Sequence, residues 1–214
     1  MARGASASAP SRVLVPIRSI GPAELPRVLR HLLALSADDR YLRFGYVASD
    51  DQIARYAQSL DFARDEIFGI YNRGLHLIAL AHLAFAAEDE FGAFAEFGVS
   101  VAEHARARGY GSRLFERAVL SARNKGVHMI FIHALSENVA MLKIARSAGA
   151  SVVRSGGESE AHLELPPASF DSRFSVIKGD GYANFDYQLK QSAKRFWSLL
   201  AALMARRRSV KPLH

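Results

Sequence analysis

A basic loop with two glycines, placed between a predicted strand and a predicted helix, is the feature that most constrains this chain. Residues 93–103 alternate as a strand does, and residues 111–125 carry apolar side chains at helical spacing. Between them, RARGYGSR at 106–113 holds three arginines and two glycines. Glycine permits close backbone approach to a ligand, and the N–H groups at a helix N-terminus point at one place. The loop is therefore predicted to hold a pyrophosphate, with charge-assisted hydrogen bonds from the arginines.

Two better-known phosphate loops do not fit this segment. A P-loop needs Lys-Ser or Lys-Thr after its second glycine, and the chain has Ser112-Arg113 there. A Rossmann fingerprint needs a third glycine where Leu114 stands. For the loop taken alone, a tight strand–helix turn with solvated arginines is the alternative interpretation.

The residues before the loop predict an antiparallel meander. Strands at 66–72, 75–86 and 93–103 follow one another on tight turns, the first of them at Asn72-Arg73-Gly74. Further upstream the patterns predict a first strand at 11–20, helices at 23–35 and 49–60, and a loop or short helix at 36–46 with Tyr41, Leu42 and Phe44 pointing inward.

The residues after the loop predict a locally parallel sheet. The helix at 111–125, ended by Gly126, is followed by an apolar strand at 127–135, a helix at 137–148 and a strand at 150–154. Residues 155–169 are predicted as a loop with one short strand near 161–165. The fold class is therefore α+β, with an antiparallel first half and a β-α-β second half.

The two ends of the chain are predicted to lie outside a domain at 12–166. Residues 1–11 lack the apolar stretch of a secretory signal and are expected to be a disordered leader. Residues 167–214 are expected to form a loop and a long C-terminal helix at 182–207. This helix either packs on the domain, pairs with a second subunit in a homodimer, or contacts an anionic surface through its basic end.

The amino-acid composition excludes several kinds of functional site. The chain has no cysteine, which excludes disulfides, zinc–thiolate sites and a cysteine nucleophile. No His/Asp/Glu group has metal-ligand spacing, and no apolar run is long enough to span a membrane. A cytoplasmic protein without a metal is expected. The net charge of +7 is concentrated in the loop and the ends, which argues against a nucleic-acid surface of interleaved basic and aromatic residues.

Arg106-x-x-Gly109-x-Gly111 resembles the acetyl-CoA loop of the GNAT acetyltransferases. A strand precedes this loop, a helix follows it, and the next strand ends near Asn138, which opens another helix; the family has the same order. The segments DDRYLRF, AEFGVSV and ENVAMLKIARSAGA resemble the GNAT domain of bacterial protein-lysine acetyltransferases that modify acyl-CoA synthetases. The large nucleotidyl-binding module of those enzymes has no counterpart in this sequence, so their partner protein does not carry over.

The resemblance implies how acetyl-CoA would be held. Its pantetheine arm would pair with the backbone at Val99 and Val101 like an added strand, and Asn138 and Met141 would lie near the thioester or the arm. The pyrophosphate would rest on the N–H groups of the loop, which consists of Arg106, Ala107, Arg108, Gly109, Tyr110, Gly111 and Ser112.

Acetyl transfer to an amine requires a base, because amines are almost all protonated at neutral pH. Glu96 is the candidate, since it occupies the AEF position of the protein-acetylating group, and its same-face neighbours Gly98 and Ser100 are small enough to leave room for an acceptor. A solvent-facing strand glutamate is the alternative. Glu103 and His104 are rival bases, and His82 and His133 are expected to be hydrogen-bonded, semi-buried strand residues.

Many GNAT enzymes place a tyrosine seven residues after the asparagine, as the acid for the leaving thiolate, and this chain has Ala145 there. Despite this departure, the resemblance implies an N-acetyltransferase that acts on a protein lysine or a small amine. A non-catalytic acyl-CoA-binding sensor is the alternative from a different functional class.

Overall fold

The structure is a computed structural model that describes residues 15–86 and 93–166, all within one compact unit. The predicted leader and the predicted C-terminal helix lie outside the described residues. The elements in chain order are β1 Arg18–Ser19, α1 Leu25–Leu33, α2 Ala37–Phe44, α3 Asp50–Gln58, β2 Glu66–Tyr71, β3 Leu77–Phe85, β4 Phe94–Val101, α4 Tyr110–Asn124, β5 Met129–Leu135, α5 Val139–Ser147, β6 Ser151–Ser155 and β7 Glu158–Glu164.

The seven described strands form a mixed sheet in the order β1-β2-β3-β4-β5-β7-β6. Strands β1 to β4 are antiparallel neighbours, as predicted, and β4 runs parallel to β5 across the helix α4. β7 pairs antiparallel with both β5 and β6, so β6 points in the direction of β5 without being its neighbour. The α+β prediction is confirmed, while the predicted β-α-β half holds for β4-α4-β5 and is interrupted by β7.

The hairpin of β6 and β7 corrects the prediction of a mostly irregular segment at 155–169. β7 covers seven residues and pairs along its whole length with β5. Gly156 and Gly157 form the two-residue turn between the strands, with Gly156 in the left-handed region at φ +62°. Gly-Gly is a hairpin signal, but the polar residues on one face of β7 weaken its strand pattern.

Residues 36–46, predicted as a loop or short helix, contain the helix α2. The side chain of Ser36 caps it by accepting a hydrogen bond from the backbone N–H of Asp39 at 3.2 Å. None of the eight residues of α2 is buried, and Tyr41 is 37% exposed. The expectation of an inward position is wrong for Tyr41, whereas Leu42 and Phe44 are half-buried. The Phe44 ring packs against the apolar cluster that α1 and α3 form with the sheet, and polar contacts hold the rest of the helix.

Helices cover both faces of the sheet. One face packs against α4 and α5, where the Phe97 and Phe115 rings meet edge to face with their centroids 4.8 Å apart. The other face packs against α1 and α3 through residues such as Leu32, Ile53 and Leu80. Each fully buried side chain of this size stabilises the fold by about 1.5–3 kcal/mol. The strand β4 contributes its apolar side chains to the first of these two layers.

Candidate active site

β4 presents two different faces, as its alternating sequence predicts. Phe97 is buried against α4, and Val99 and Val101 are half-buried beside it. Glu96 lies on the opposite face and is exposed. Its carboxylate therefore lies at the surface of the side of the sheet that carries α1, α2 and α3.

β4 and β5 are paired only at their first residues. Their register pairs are Phe94–Met129, Ala95–Ile130 and Glu96–Phe131, although β4 continues to Val101 and β5 to Leu135. Within the described part of the chain, no strand pairs with the β5-facing edge of residues 97–101. Backbone N–H and C=O groups on such an edge can bind an extended ligand as an added strand. Glu96 lies where this gap begins.

The loop between β4 and α4 holds two residues in the left-handed region. Gly109 has φ +73° and Ala107 has φ +59°, a conformation that costs a residue with a Cβ about 1–2 kcal/mol. The first intrahelical hydrogen bond of α4 runs from the N–H of Arg113 to the carbonyl of Gly109 at 3.1 Å. The preceding helical N–H groups, those of residues 110–112, have no intrahelical acceptor. They form the kind of N-terminus that binds anions.

Arg106 and Gly111 have packing roles that the loop motif did not indicate. The guanidinium group of Arg106 forms an ion pair with Asp39 of α2 and donates through Nε to the carbonyl of Val101 at 3.4 Å. A Cβ atom added to Gly111 would lie 2.9 Å from Ile144 Cδ1. Gly111 therefore lets α4 approach α5, and Arg106 ties the loop to α2.

Asn138 and Met141 lie at the carboxyl end of β5, the end at which β4 and β5 are unpaired. Asn138 Oδ1 caps α5 by accepting from the N–H of Met141 at 3.1 Å, and its Nδ2 donates to the carbonyl of Leu42 at 3.2 Å. Asn138 thus joins α5 to α2. Met141 is 7% exposed and belongs to the core.

The face of β4 next to Glu96 is more crowded than its small residues suggest. A Cβ atom added to Gly98 would lie 2.5 Å from Arg43 Nη2 and 2.7 Å from its Cζ. His31 Nδ1 donates to the carbonyl of Leu77. The other ring nitrogen, Nε2, is therefore the acceptor, and the Ser100 hydroxyl donates to it at 2.9 Å. The expectation that Gly98 and Ser100 leave room for an acceptor is therefore wrong, since side chains from α1 and α2 cover both of them.

Arg43 begins a chain of hydrogen bonds. Its Nη2 donates to the Tyr56 hydroxyl at 2.9 Å, that hydroxyl lies 3.0 Å from His82 Nδ1, and His82 Nε2 lies 2.9 Å from Asp65 Oδ2. Burial raises the pKa of Tyr56, and burial lowers the pKa of His82 despite its contact with Asp65. Burial would raise the pKa of Asp65, but its hydrogen bonds from Arg64, His82 and a backbone N–H outweigh burial and lower it.

These protonation states determine which group donates and which accepts in each of these hydrogen bonds. A neutral His82 accepts a hydrogen bond from the Tyr56 hydroxyl at Nδ1 and donates one from its Nε2–H to the Asp65 carboxylate. His82 therefore has both ring nitrogens bonded, as expected, whereas His133 is exposed on β5 and not semi-buried. Arg43, Tyr56 and Asp65 were not predicted, because no local pattern links residues 13 to 26 positions apart.

The rival bases Glu103 and His104 line a different part of the molecule. They border a cleft of about 460 Å³ between α1, the β2–β3 turn and residues 102–104. Neither Glu96 nor any predicted coenzyme residue lines this cleft. Glu103 and His104 are both exposed, so Glu96 is the carboxylate that the strand places at the unpaired edge.

Ala145 is fully buried in the core between α5 and the sheet. The described residues contain no group of three or more metal-ligating side chains. No helix among them is long and apolar enough to cross a membrane.

The profile of the acetyltransferase (GNAT) family matches residues 29–150. Acetyltransferase Pat from Mycolicibacterium smegmatis (strain ATCC 700084 / mc(2)155) is 28% identical over 153 residues, which are 71% of this chain and 46% of that protein. The chain thus spans about half the length of this curated relative. The predicted resemblance to the GNAT domain of protein-lysine acetyltransferases is confirmed.

Solved structures share the fold. The GNAT domain of S. lividans PAT superposes with a TM-score of 0.57 at 22% identity, over 70% of this chain and 89% of that one. A ribosomal-protein-alanine N-acetyltransferase from Brucella melitensis superposes with a TM-score of 0.55 at 18% identity, over 71% of this chain and 100% of that one.

Proposed function

Because this chain belongs to the GNAT acetyltransferase family and is an acyltransferase, we propose that it moves an acetyl group from acetyl-CoA to a primary amine with Glu96 as general base. One observation carries the proposal: the exposed Glu96 carboxylate lies where β4 and β5 separate, and the same edge of β4 leads to the basic loop. Donor, base and acceptor would meet at this point.

The coenzyme would run along β4 from the loop towards Glu96. The N–H groups of residues 110–112 and the exposed side chain of Arg108 are available to the pyrophosphate. A Cβ atom added to Gly109 would meet nothing within 4 Å, so the backbone there is open to a ligand. The unpaired backbone of residues 97–101 would bind the pantetheine arm, which brings the thioester close to Glu96.

The base has a defined task in this reaction. The acceptor amine is almost fully protonated at neutral pH. The Glu96 carboxylate takes one proton from the ammonium group, and the free amine attacks the acetyl carbon. The C–S bond then breaks to release the coenzyme, and the second proton of the nitrogen leaves for solvent as the amide forms. A positioned base accelerates such a step by about 10²–10⁴-fold.

The acceptor is a protein lysine or a small amine. Similarity to an acetyltransferase Pat favours the lysine of a protein partner, and the exposure of Glu96 on the sheet surface suits a side chain presented by another protein. The decisive measurement is thiol release from acetyl-CoA with small amines, lysine peptides and acyl-CoA synthetases as separate acceptors.

A non-catalytic acyl-CoA sensor makes the opposite prediction. Calorimetry would then show acetyl-CoA binding, while thiol release would stay at the uncatalysed rate with every acceptor. Mass spectrometry of the acceptor distinguishes acetyl transfer from simple thioester hydrolysis, because only transfer adds an acetyl group to the amine.

A further inference from the structure

Arg43 holds a positive charge against β4 without a carboxylate partner. Its guanidinium lies against Gly98, two residues from Glu96 and on the same face of the strand. Within residues 15–86 and 93–166, its one hydrogen bond goes to Tyr56, and it forms no ion pair. Arg40, Arg64 and Arg106 each pair with an aspartate. Since a guanidinium has five N–H donors, most donors of Arg43 remain for a ligand.

The surrounding side chains fix the position of this charge. Tyr56 accepts its hydrogen bond and presents its ring 5.5 Å from Arg43 Cζ, and the Phe44 ring lies 5.3 Å from the same atom. Tyr56 is held in turn by His82, which is anchored on the Asp65 carboxylate. Three linked hydrogen bonds and two aromatic rings thus hold the Arg43 guanidinium beside β4. A charge that is fixed in place in this way can stabilise a transition state.

Acetyl transfer generates a negative charge for which the site has no acid at the family's usual position. The amine nitrogen bonds to the acetyl carbon, the C–S bond breaks, and its electron pair leaves on the coenzyme sulfur as a thiolate. Glu96 has already taken the first proton of the ammonium group, and the second proton leaves the nitrogen for solvent as the amide forms. Ala145 is buried and carries no acidic group, so the thiolate needs another partner.

We propose that Arg43 is a further catalytic residue, whose guanidinium stabilises the negative charge on the departing coenzyme sulfur. This inference rests on the proposed function, because the proposed course of the pantetheine arm places the thioester near Gly98. Tyr56, His82 and Asp65 act through Arg43 and are positioning residues. Arginine side chains do not give up a proton in proteins, so Arg43 acts as an electrostatic partner and not as a proton donor.

The first test compares Arg43→Gln and Arg43→Lys with the wild type in acetyl-CoA turnover. We expect kcat to fall about 10²-fold in Arg43→Gln, the usual effect of removing one charge-stabilising donor, and less in Arg43→Lys, which keeps the charge. The Kd of acetyl-CoA and the KM of the acceptor should stay within about threefold. The matched control is Arg55→Gln, an exposed arginine next to Tyr56 on α3, which should leave kcat unchanged.

The second test varies the leaving group. An acetyl thioester of an aromatic thiol releases a thiolate that needs little stabilisation, so the deficit of Arg43→Gln in kcat/KM should shrink several-fold relative to acetyl-CoA. A purely structural role would lower both rates equally. Adding guanidinium ions at millimolar concentration to Arg43→Ala should restore part of the turnover.

The outcomes separate the inference from the function on which it rests. A wild-type protein that releases no thiol with any acceptor overturns both. Normal wild-type turnover, with an Arg43→Gln kcat within threefold, overturns the role of Arg43 alone. A rise in the acceptor KM at constant kcat would instead mean that Arg43 binds a carboxylate of the acceptor, and it would also overturn the inference.

Discussion

Helices α4 and α2 contact the same strand, β4, from opposite faces and by opposite means. α4 buries Leu114, Phe115 and Ala118 in the core against β4 and its neighbours. α2 contacts β4 without burying a single residue. Its half-buried Phe44 packs against the apolar cluster of α1 and α3. The other contacts that hold it are polar: the Asp39–Arg106 ion pair, the Asn138–Leu42 hydrogen bond and the contact of Arg43 with Tyr56.

The difference indicates a division of tasks across the strand. Apolar packing at close to crystal density resists displacement, so α4 fixes the backbone of β4 and the start of the coenzyme loop. Hydrogen bonds and ion pairs at a half-exposed surface can exchange with a ligand at little net cost. The charged groups of the proposed reaction, Glu96 and Arg43, lie on the polar side. Substitutions on the two sides should therefore affect different measurements.

Glu96→Gln should have the largest effect, on catalysis and not on stability. Glutamine keeps the shape but cannot accept a proton, so we expect turnover to fall by about 10²–10⁴-fold, with an unchanged Kd for acetyl-CoA and an unchanged Tm. The loss should shrink as the pH rises, because more of the acceptor amine is then unprotonated.

The control for this variant is Glu103→Gln, which removes a carboxylate from the separate cleft and should retain full activity. If Glu96→Gln turns over within threefold of the wild type at neutral pH with chemistry rate-limiting, Glu96 is not the base. Reduced turnover in Glu103→Gln would then identify the rival.

Phe115→Ala should have the opposite profile. The ring is 2% exposed and packs edge to face on Phe97, so its removal leaves a cavity that costs about 3–5 kcal/mol of unfolding free energy. Urea denaturation measures this loss, and Leu120→Ala on the exposed side of α4 is the control, with an expected change below about 0.5 kcal/mol. Equal losses in the two variants would contradict the assignment of α4 as the rigid support.

Local sequence patterns correctly predicted the elements on the apolar side of β4. The strand–loop–helix order around residues 93–126 and the antiparallel meander before it follow from alternation, helical spacing and glycine stops, which are properties of neighbouring residues. The position of Glu96 on the face opposite Phe97 follows from the same alternation.

The polar side of β4 depends on contacts between residues that are far apart in the sequence. Local sequence patterns carry no information about such contacts. Small residues at Gly98 and Ser100 suggested open space, but Arg43 and His31 fill it from 55 and 69 positions away. The insertion of β7 between β5 and β6 is likewise a matter of pairing, and the sequence contained only the Gly-Gly turn signal for it. The roles of Glu96, the loop residues and Asn138 stay predictions.

The polar side should also make stability depend on pH. Burial lowers the pKa of both His31 and His82, so between their folded pKa values and about 6.5 the unfolded chain binds more protons than the folded one. The free energy of unfolding should therefore fall as the pH decreases below about 6.5. Urea titrations at several pH values measure this slope, which should become shallower in His82→Gln and stay unchanged in His133→Gln, where the replaced ring is exposed.

Asp39→Asn should have the smallest effect on stability. The substitution removes the ion pair between α2 and Arg106, whose side chain is 46% exposed, and solvent-screened pairs contribute about 0.2–1 kcal/mol. The substitution should strengthen coenzyme binding, although it slightly weakens the fold. Because Arg106 loses its aspartate partner, its guanidinium becomes available to the pyrophosphate. The Kd of acetyl-CoA should therefore fall by a few-fold at low ionic strength. Calorimetry in 20 mM and 500 mM salt checks this, because the gain in affinity should vanish when the salt screens the loop.

The control is Asp50→Asn, which removes a comparable ion pair with Arg40 away from the loop and should leave the Kd unchanged. Weaker coenzyme binding in Asp39→Asn would show that α2 supports the loop, and the contrast between a fixed α4 and an exchangeable α2 would fail at this contact.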